Sequence, residues 1–151
     1  MLSVQELRMQ VLLEGLENAE LEKLLPMVSM VRHLKDEHVF RERDICRGIY
    51  MIQSGRIEIS KTTADGWKQP LVISGVGNFI GEIATLENST HATDARALEN
   101  TELILFSKEA FAELEKKEPH CMLKIIKNIA IVSALNVRRM NEKFLKALVN
   151  Y

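Results

Sequence analysis

Apolar and polar positions change spacing twice along the chain, and the changes divide it into three stretches. Over residues 1–29 the apolar positions recur at helical spacing. Ser3 is placed to cap a helix running through Leu13, with Leu7, Val11 and Leu12 on its apolar side and Gly15 ending it. Asn18 is placed to cap a second helix carrying Leu21, Leu24 and Leu25, closed by Pro26. From residue 30 to 106 the period falls to two. Val31, His33, Val39, Ile49, Met51, Ile57 and Ile59 sit in short alternating segments separated by turn residues. Ser54-Gly55 reads as a hairpin turn, and so does Asp65-Gly66 between Ile59 and Leu71. Short strands so closely spaced predict an antiparallel β-roll of jelly-roll type. Trp67 is expected near a hairpin tip, partly exposed and packed on its neighbours.

Residues 107–151 return to helical spacing. Ser107 caps a short helix holding Phe111 and Leu114, which stops before Pro119. A long helix then runs from His120 to Tyr151 without Pro or Gly. In its first half Met122, Leu123, Ile125, Ile126, Ile129, Ala130, Ile131, Val132, Ala134 and Leu135 occupy almost the whole circumference. A helix lying on one core needs only an apolar stripe, so one face is expected to cover the β-roll and the other to meet the same helix of a second copy. The alternative is burial within the monomer by the N-terminal helices. The expected fold class is therefore mainly β with flanking helices: a single domain over 1–151, its antiparallel β-roll bracketed by N-terminal helices and a long C-terminal helix.

Bulk properties narrow the function. At 151 residues and 46% hydrophobic the chain is long enough for one proper core. A net charge of -1 gives no basic footprint for nucleic acid, and Arg138, Arg139, Lys143 and Lys146 share their helix with Glu142 as a solvated face would. Cys46 and Cys121 form no Cys-x-x-Cys pair, so neither a zinc site nor a disulfide framework is expected. Glu6 and Arg8 interrupt the N-terminal apolar run, and no uncharged segment approaches the roughly 20 apolar residues of a membrane helix. The expected compartment is the cytoplasm, with no membrane partner. His33, His38, His91 and His120 are scattered, without the His-x-His pair of a metal-binding jelly-roll. No Gly-x-Ser-x-Gly elbow, His-Glu-x-x-His or Walker loop is present. Neither a catalytic residue nor a metal ligand is expected, and the chain is read as a non-enzyme.

The candidate chemistry lies in Gly77-Asn78-Phe79-Ile80-Gly81-Glu82-Ile83-Ala84-Thr85-Leu86, followed by Thr90-His91-Ala92-Thr93-Asp94-Ala95-Arg96-Ala97. A glycine before a helical turn lets backbone approach a ligand, and the free N–H groups opening that turn favour an anion. Glu82 can accept hydrogen bonds from a hydroxyl but repels a phosphate placed too near. The pattern suits a ligand with one anionic and one hydroxylated end, although such a string also serves as plain turn punctuation.

Ile80-Gly81-Glu82-Ile83-Ala84 through His91-Ala92-Thr93-Asp94-Ala95-Arg96-Ala97 resembles the phosphate-binding cassette of the cyclic nucleotide-binding domain, aligned without a gap. That family includes the catabolite activator proteins, the regulatory subunits of protein kinase A and cyclic-nucleotide-gated channels. The resemblance extends to Leu13-Glu14-Gly15-Leu16 through Leu24-Leu25-Pro26, to Val39-Phe40 with Asp44, and to Tyr50-Met51-Ile52-Gln53-Ser54-Gly55-Arg56-Ile57-Glu58-Ile59. It implies a β-roll with a helical pair beside it, a dimerising C-terminal helix, no cofactor, and a cyclic nucleotide such as cAMP or cGMP as ligand. The implied ligand-binding residues are Gly81, Glu82, Ile83, Ala84, His91, Ala92 and Thr93. Glu82 would take the ribose 2′-hydroxyl, and the amides of Ile83 and Ala84 the phosphate. In the catabolite activators a DNA-reading helix-turn-helix follows the long helix; this chain ends at Tyr151, so no such element is expected in it.

Three positions depart from the family pattern. His91 stands where the family has an Arg that grips the phosphate with paired hydrogen bonds. With an ordinary pKa near ~6.5, a histidine carries little charge at pH 7. Loss of a buried charged partner costs on the order of 2–5 kcal/mol, enough to turn a micromolar binder into one of tens of micromolar to millimolar. Arg96 is no substitute, because strand parity turns it to the opposite face. Arg43 stands where the family has a turn glycine, and Asp94 replaces an uncharged residue and adds negative charge close by. Two readings follow: a ligand sensor of weakened or altered specificity, or an interaction module that keeps the fold and the dimer helix without the nucleotide.

Overall fold

The fold is known from a computed structural model that describes residues 1–150. Helix α1 (Val4–Arg8) starts as expected, with Ser3 Oγ accepting from the Glu6 amide at 3.2 Å. It ends early, and Val11–Leu13 is a separate 3₁₀ turn. The interruption has a local cause. The Val11 amide donates to the Gly77 carbonyl at 2.9 Å instead of to α1, and buried Gln10 sends Nε2 to the Ile52 carbonyl at 3.2 Å. Helix α2 (Asn18–Leu24) is capped by Glu17 rather than Asn18, through a capping box in which Glu20 Oε1 accepts from the Glu17 amide at 2.9 Å. Asn18 instead accepts from the Arg8 guanidinium. Pro26 lies in the 3₁₀ turn Leu25–Met27 that follows.

Eight strands follow: β1 (Val28–His33), β2 (His38–Phe40), β3 (Gly48–Ser54), β4 (Ile57–Thr62), β5 (Lys68–Ser74), β6 (Phe79–Ile80), β7 (Asp94–Ala97) and β8 (Thr101–Ser107). They overrun the 30–106 span at both ends. They form two four-stranded antiparallel sheets, β1-β8-β3-β6 and β2-β7-β4-β5. A short helix, α3 (Glu82–Glu87), separates β6 from β7. The Asp65-Gly66 turn joins β4 to β5, which pair through Lys61 and Gln69, and Trp67 beside it is exposed. Ser54-Gly55 is not a hairpin turn. It carries the chain from β3 in one sheet to β4 in the other, and Gly55 has φ +91 with Thr101 packed against it.

Burial explains why β3 and β8 read as continuous apolar runs. Ile49, Met51, Ile104 and Phe106 face one core, shared with the helices, whereas Tyr50, Ile52, Leu103 and Leu105 face a second core between the sheets. The first sheet is thus covered on both sides. After β8, Ser107 Oγ accepts from the Ala110 amide at 3.1 Å and starts α4 (Lys108–Lys117). Helix α5 (Pro119–Val149) buries Cys121, Met122, Ile125 and Ile129 in the helical core. Asn128 Nδ2 bonds the carbonyls of Leu12 and Glu14 at 2.8 and 2.9 Å, and Lys124 pairs with Glu20 at 2.6 Å. Beyond this anchored half, Ile131, Leu135, Val137, Met140, Phe144, Leu145, Leu148 and Val149 are exposed. By length and composition alone α5 could span a membrane, at a mean hydropathy of 1.3 over its most apolar window; a docked core helix meets the same test. Tyr151, the expected end of this helix, lies outside the described residues.

Candidate ligand-binding site

The site grows from a change of direction at the end of β6. Gly81 has φ +84, in the left-handed region, and its next residues turn into α3. Beyond the ligand approach expected from sequence, this glycine meets an internal constraint. A Cβ here would stand 2.8 Å from the Gly48 carbonyl oxygen and 3.5 Å from the His91 ring. Gly81 therefore lets α3 sit close on β3. In so short a helix the amides of Glu82, Ile83 and Ala84 precede the first intrahelical bond, from Thr85 to the Gly81 carbonyl at 3.2 Å.

The chain reverses at Asn88, also left-handed at φ 51, and runs back beneath α3. His91 is held by its backbone, donating to the Asp44 carbonyl at 3.0 Å and accepting from the Arg43 amide at 2.7 Å. Its ring is buried and stacked on Phe40, with centroids 3.6 Å apart and planes within 4°. Arg43 does adopt the conformation of a turn glycine, at φ 73.

Between α3, residues 89–93 and the facing strands lies a hollow of about 280 Å³. Gly81, Glu82, Ile83, Ala84, His91, Ala92 and Thr93 all line it. Phe40, Ile59, Val72 and Asn136 also line it and were not among the binding residues expected from sequence. Ile59 was readable as an inward strand position; Asn136, a polar residue on an apolar helix, was the one available hint of the fourth wall. A larger hollow of about 430 Å³ lies beside Met1, Leu2, Leu25, Pro26, Val28 and Met30, but it carries no ionisable side chain and lies away from every candidate residue.

The electrostatics differ from the sequence expectation at Asp94 and agree with it at His91 and Arg96. Burial pushes the Glu82 carboxyl above its ordinary value, only partly offset by its own backbone amide, and the carboxyl pairs with no cation among the described residues. Burial likewise pushes the His91 pKa down, against the weaker pull of the Asp44 carboxylate. His91 is therefore neutral at pH 7. Asp94 does not load the hollow with charge. Although burial opposes it, the Glu42 amide at 2.8 Å and Lys68 at 3.0 Å hold its carboxyl below the ordinary range. Arg96 points away, paired with Asp36 at 2.7 Å and Glu58 at 3.3 Å. The hollow thus offers a hydroxyl acceptor, free backbone amides and apolar walls, without a cation among its lining residues.

A jelly-roll closed over such a hollow is a fold that can hold a small ligand. The sequence model of the cyclic nucleotide-binding domain matches residues 30–118, and the chain belongs to that family. It is 26% identical over 131 residues to the cyclic AMP receptor protein of Thermus thermophilus, covering 87% of this chain and 57% of that protein. It is 33% identical over 92 residues to the lysophospholipase nte1 of Neurospora crassa, covering 61% of this chain and only 6% of that protein. Among solved structures, a cyclic nucleotide-binding domain from Methylobacillus flagellatus superposes with a TM-score of 0.86 at 17% identity, over 94% of this chain and 82% of that one, a likeness of fold. The chain spans little more than half of the Thermus relative and a small part of the fungal one.

Proposed function

We propose that this chain is a regulatory, non-enzymatic ligand sensor whose hollow takes a cyclic nucleotide weakly or with altered specificity. Its α5 helix would report occupancy through a homodimer. One observation carries the reading: the half-buried Glu82 carboxyl, which pairs with no cation among the described residues, shares a hollow with the Ile83 and Ala84 amides and with residues 91–93. Partial burial without a cation disfavours the ionised carboxylate, and a ribose hydroxyl would give it a further donor. The neutral amides would take the phosphate, and Asn136 would let α5 feel the ligand. The dimer is supported by Val137, Met140 and Phe144, exposed by 55%, 68% and 64% at three- and four-residue spacing. We place the protein in the cytoplasm, with neither nucleic acid nor membrane as partner. A second reading, a dimerisation module without ligand, is favoured by one feature alone: His91 fills the family's arginine position with a neutral ring locked on Phe40.

Calorimetry with cAMP and cGMP separates the two. A histidine of ordinary pKa at position 91 would bind an anion more strongly at pH 6 than at pH 8, through its protonation. Burial moves that protonation below the ordinary value of 6.5, and protonation of Glu82 opposes any gain on acidification. The expected profile is weak binding, nearly flat from pH 8 to pH 6.5. His91→Arg should strengthen it by about 10- to 100-fold. If that substitution gains nothing, the hollow does not accept a phosphate and the second reading stands.

A further inference from the structure

We propose that Lys61 supplies the positive charge for an anionic group bound at the Ala92 end of the hollow, replacing from β4 the cation missing at position 91. This rests on the ligand-sensing reading above. Its starting point is strand parity. β4 pairs with β5 through Ile59↔Val72 and then Ser60↔Pro70, so the extra residue, Leu71, belongs to β5 and the alternation of β4 is unbroken. Ile57, Ile59 and Lys61 therefore share one face, the face by which Ile59 lines the hollow. The apolar row along that face ends in an ammonium.

That ammonium reaches the cassette. Lys61 Nζ donates to the Ala92 carbonyl at 2.8 Å, and Ala92 lines the hollow. An ammonium has three donors, so two stay unspent by this bond. The other basic residues on the strands of this sheet are committed: Lys68 to Asp94 at 3.0 Å, and Arg96 to Asp36 and Glu58. Lys61 has no carboxylate within 4.0 Å among the described residues. The ionisable side chains of the hollow itself are Glu82, Glu87 and His91, two acids and one imidazole. An anion entering there meets no other unpaired positive charge carried by these strands. The flexible four-carbon stem lets the ammonium exchange a carbonyl oxygen for a phosphate oxygen without moving the strand.

The test compares an anionic probe, cyclic AMP, with an uncharged one of the same base and sugar, adenosine, on Lys61→Gln and Lys61→Arg. Lys61→Gln should weaken cyclic AMP by about 10- to 100-fold and leave adenosine unchanged. Lys61→Arg should keep the charge and most of the affinity, and added salt should weaken cyclic AMP less in Lys61→Gln than in the wild type. Cyclic AMP binding that is indifferent to Lys61→Gln overturns the inference and leaves the sensor reading intact. A wild type that takes adenosine but not cyclic AMP overturns the inference and the cyclic-nucleotide reading together. A wild type that binds neither removes the sensor reading and the inference with it.

Discussion

Replacing Gly81 with alanine separates two costs that the fold imposes at one residue. The first is conformational: a side chain at φ +84 meets the left-handed penalty of about 1–2 kcal/mol. The second is steric. The new Cβ would stand 2.8 Å from the Gly48 carbonyl oxygen, a backbone atom of β3 that cannot swing aside. Such overpacking adds about 1–3 kcal/mol, for a total of about 2–5 kcal/mol. Gly66→Ala is the matched control, since its φ is +87 but nothing lies within 4 Å of its Cβ, leaving only the first cost. The difference between the two variants, about 1–3 kcal/mol, corresponds to roughly 2–12 °C in Tm for a chain of this size. Urea unfolding followed by circular dichroism reads both, and unchanged m-values show that the same transition is compared. Equal losses in the two variants would refute the close approach of α3 to β3 as the reason for glycine at 81.

Glu82→Gln bears on the pH dependence of stability. The folded carboxyl is raised above its ordinary 4.5, so the folded chain holds that proton more tightly and stability falls as pH rises above this value. The substitution should therefore raise Tm at pH 7.5, with the advantage vanishing as pH drops through 4.5 and below; an advantage independent of pH would contradict the burial argument. Arg43→Gly relieves a left-handed arginine at φ 73 and should raise Tm by roughly 2–4 °C, for about 1 kcal/mol. Sedimentation equilibrium should give twice the chain mass of 17.2 kDa, and Val137→Glu with Phe144→Glu should return the monomer; a wild-type monomer at high concentration would remove the dimer.

The sequence carried the fold where one local signal had no competitor. Ser107 followed by a helical run, Asp65-Gly66 between alternating strands, and Pro119 as a stop all lie where their chemistry puts them. It misled where tertiary hydrogen bonds outbid a local one. Nothing near Val11 shows that its amide will be drawn to Gly77, which ends the first helix early. Ser54-Gly55 has the chemistry of a hairpin turn, yet the flanking strands find better partners in opposite sheets. For the site, the residues near position 82 and position 91 were legible because two short segments hold them. The walls from β4, β5 and α5 were not, because they meet the others only on folding. Charge was the least legible. Whether Asp94 faces a ligand or Lys68, and whether His91 is wet or stacked on Phe40, depends on neighbours far along the chain and on other strands.

Strands β3, β6 and β8 have a further consequence. Tyr50 and Ile80 belong to the core under the hollow, while Met51 and Phe79, their immediate chain neighbours, belong to the core that seats α5. The sheet is a single layer shared by the two cores, so a strand residue displaced on one side carries its chain neighbour on the other with it. On the ligand-sensing proposal, filling the hollow and re-seating the long helix would be two entries in a single thermodynamic cycle: whatever free energy occupancy contributed to the helix, the helix would return to occupancy.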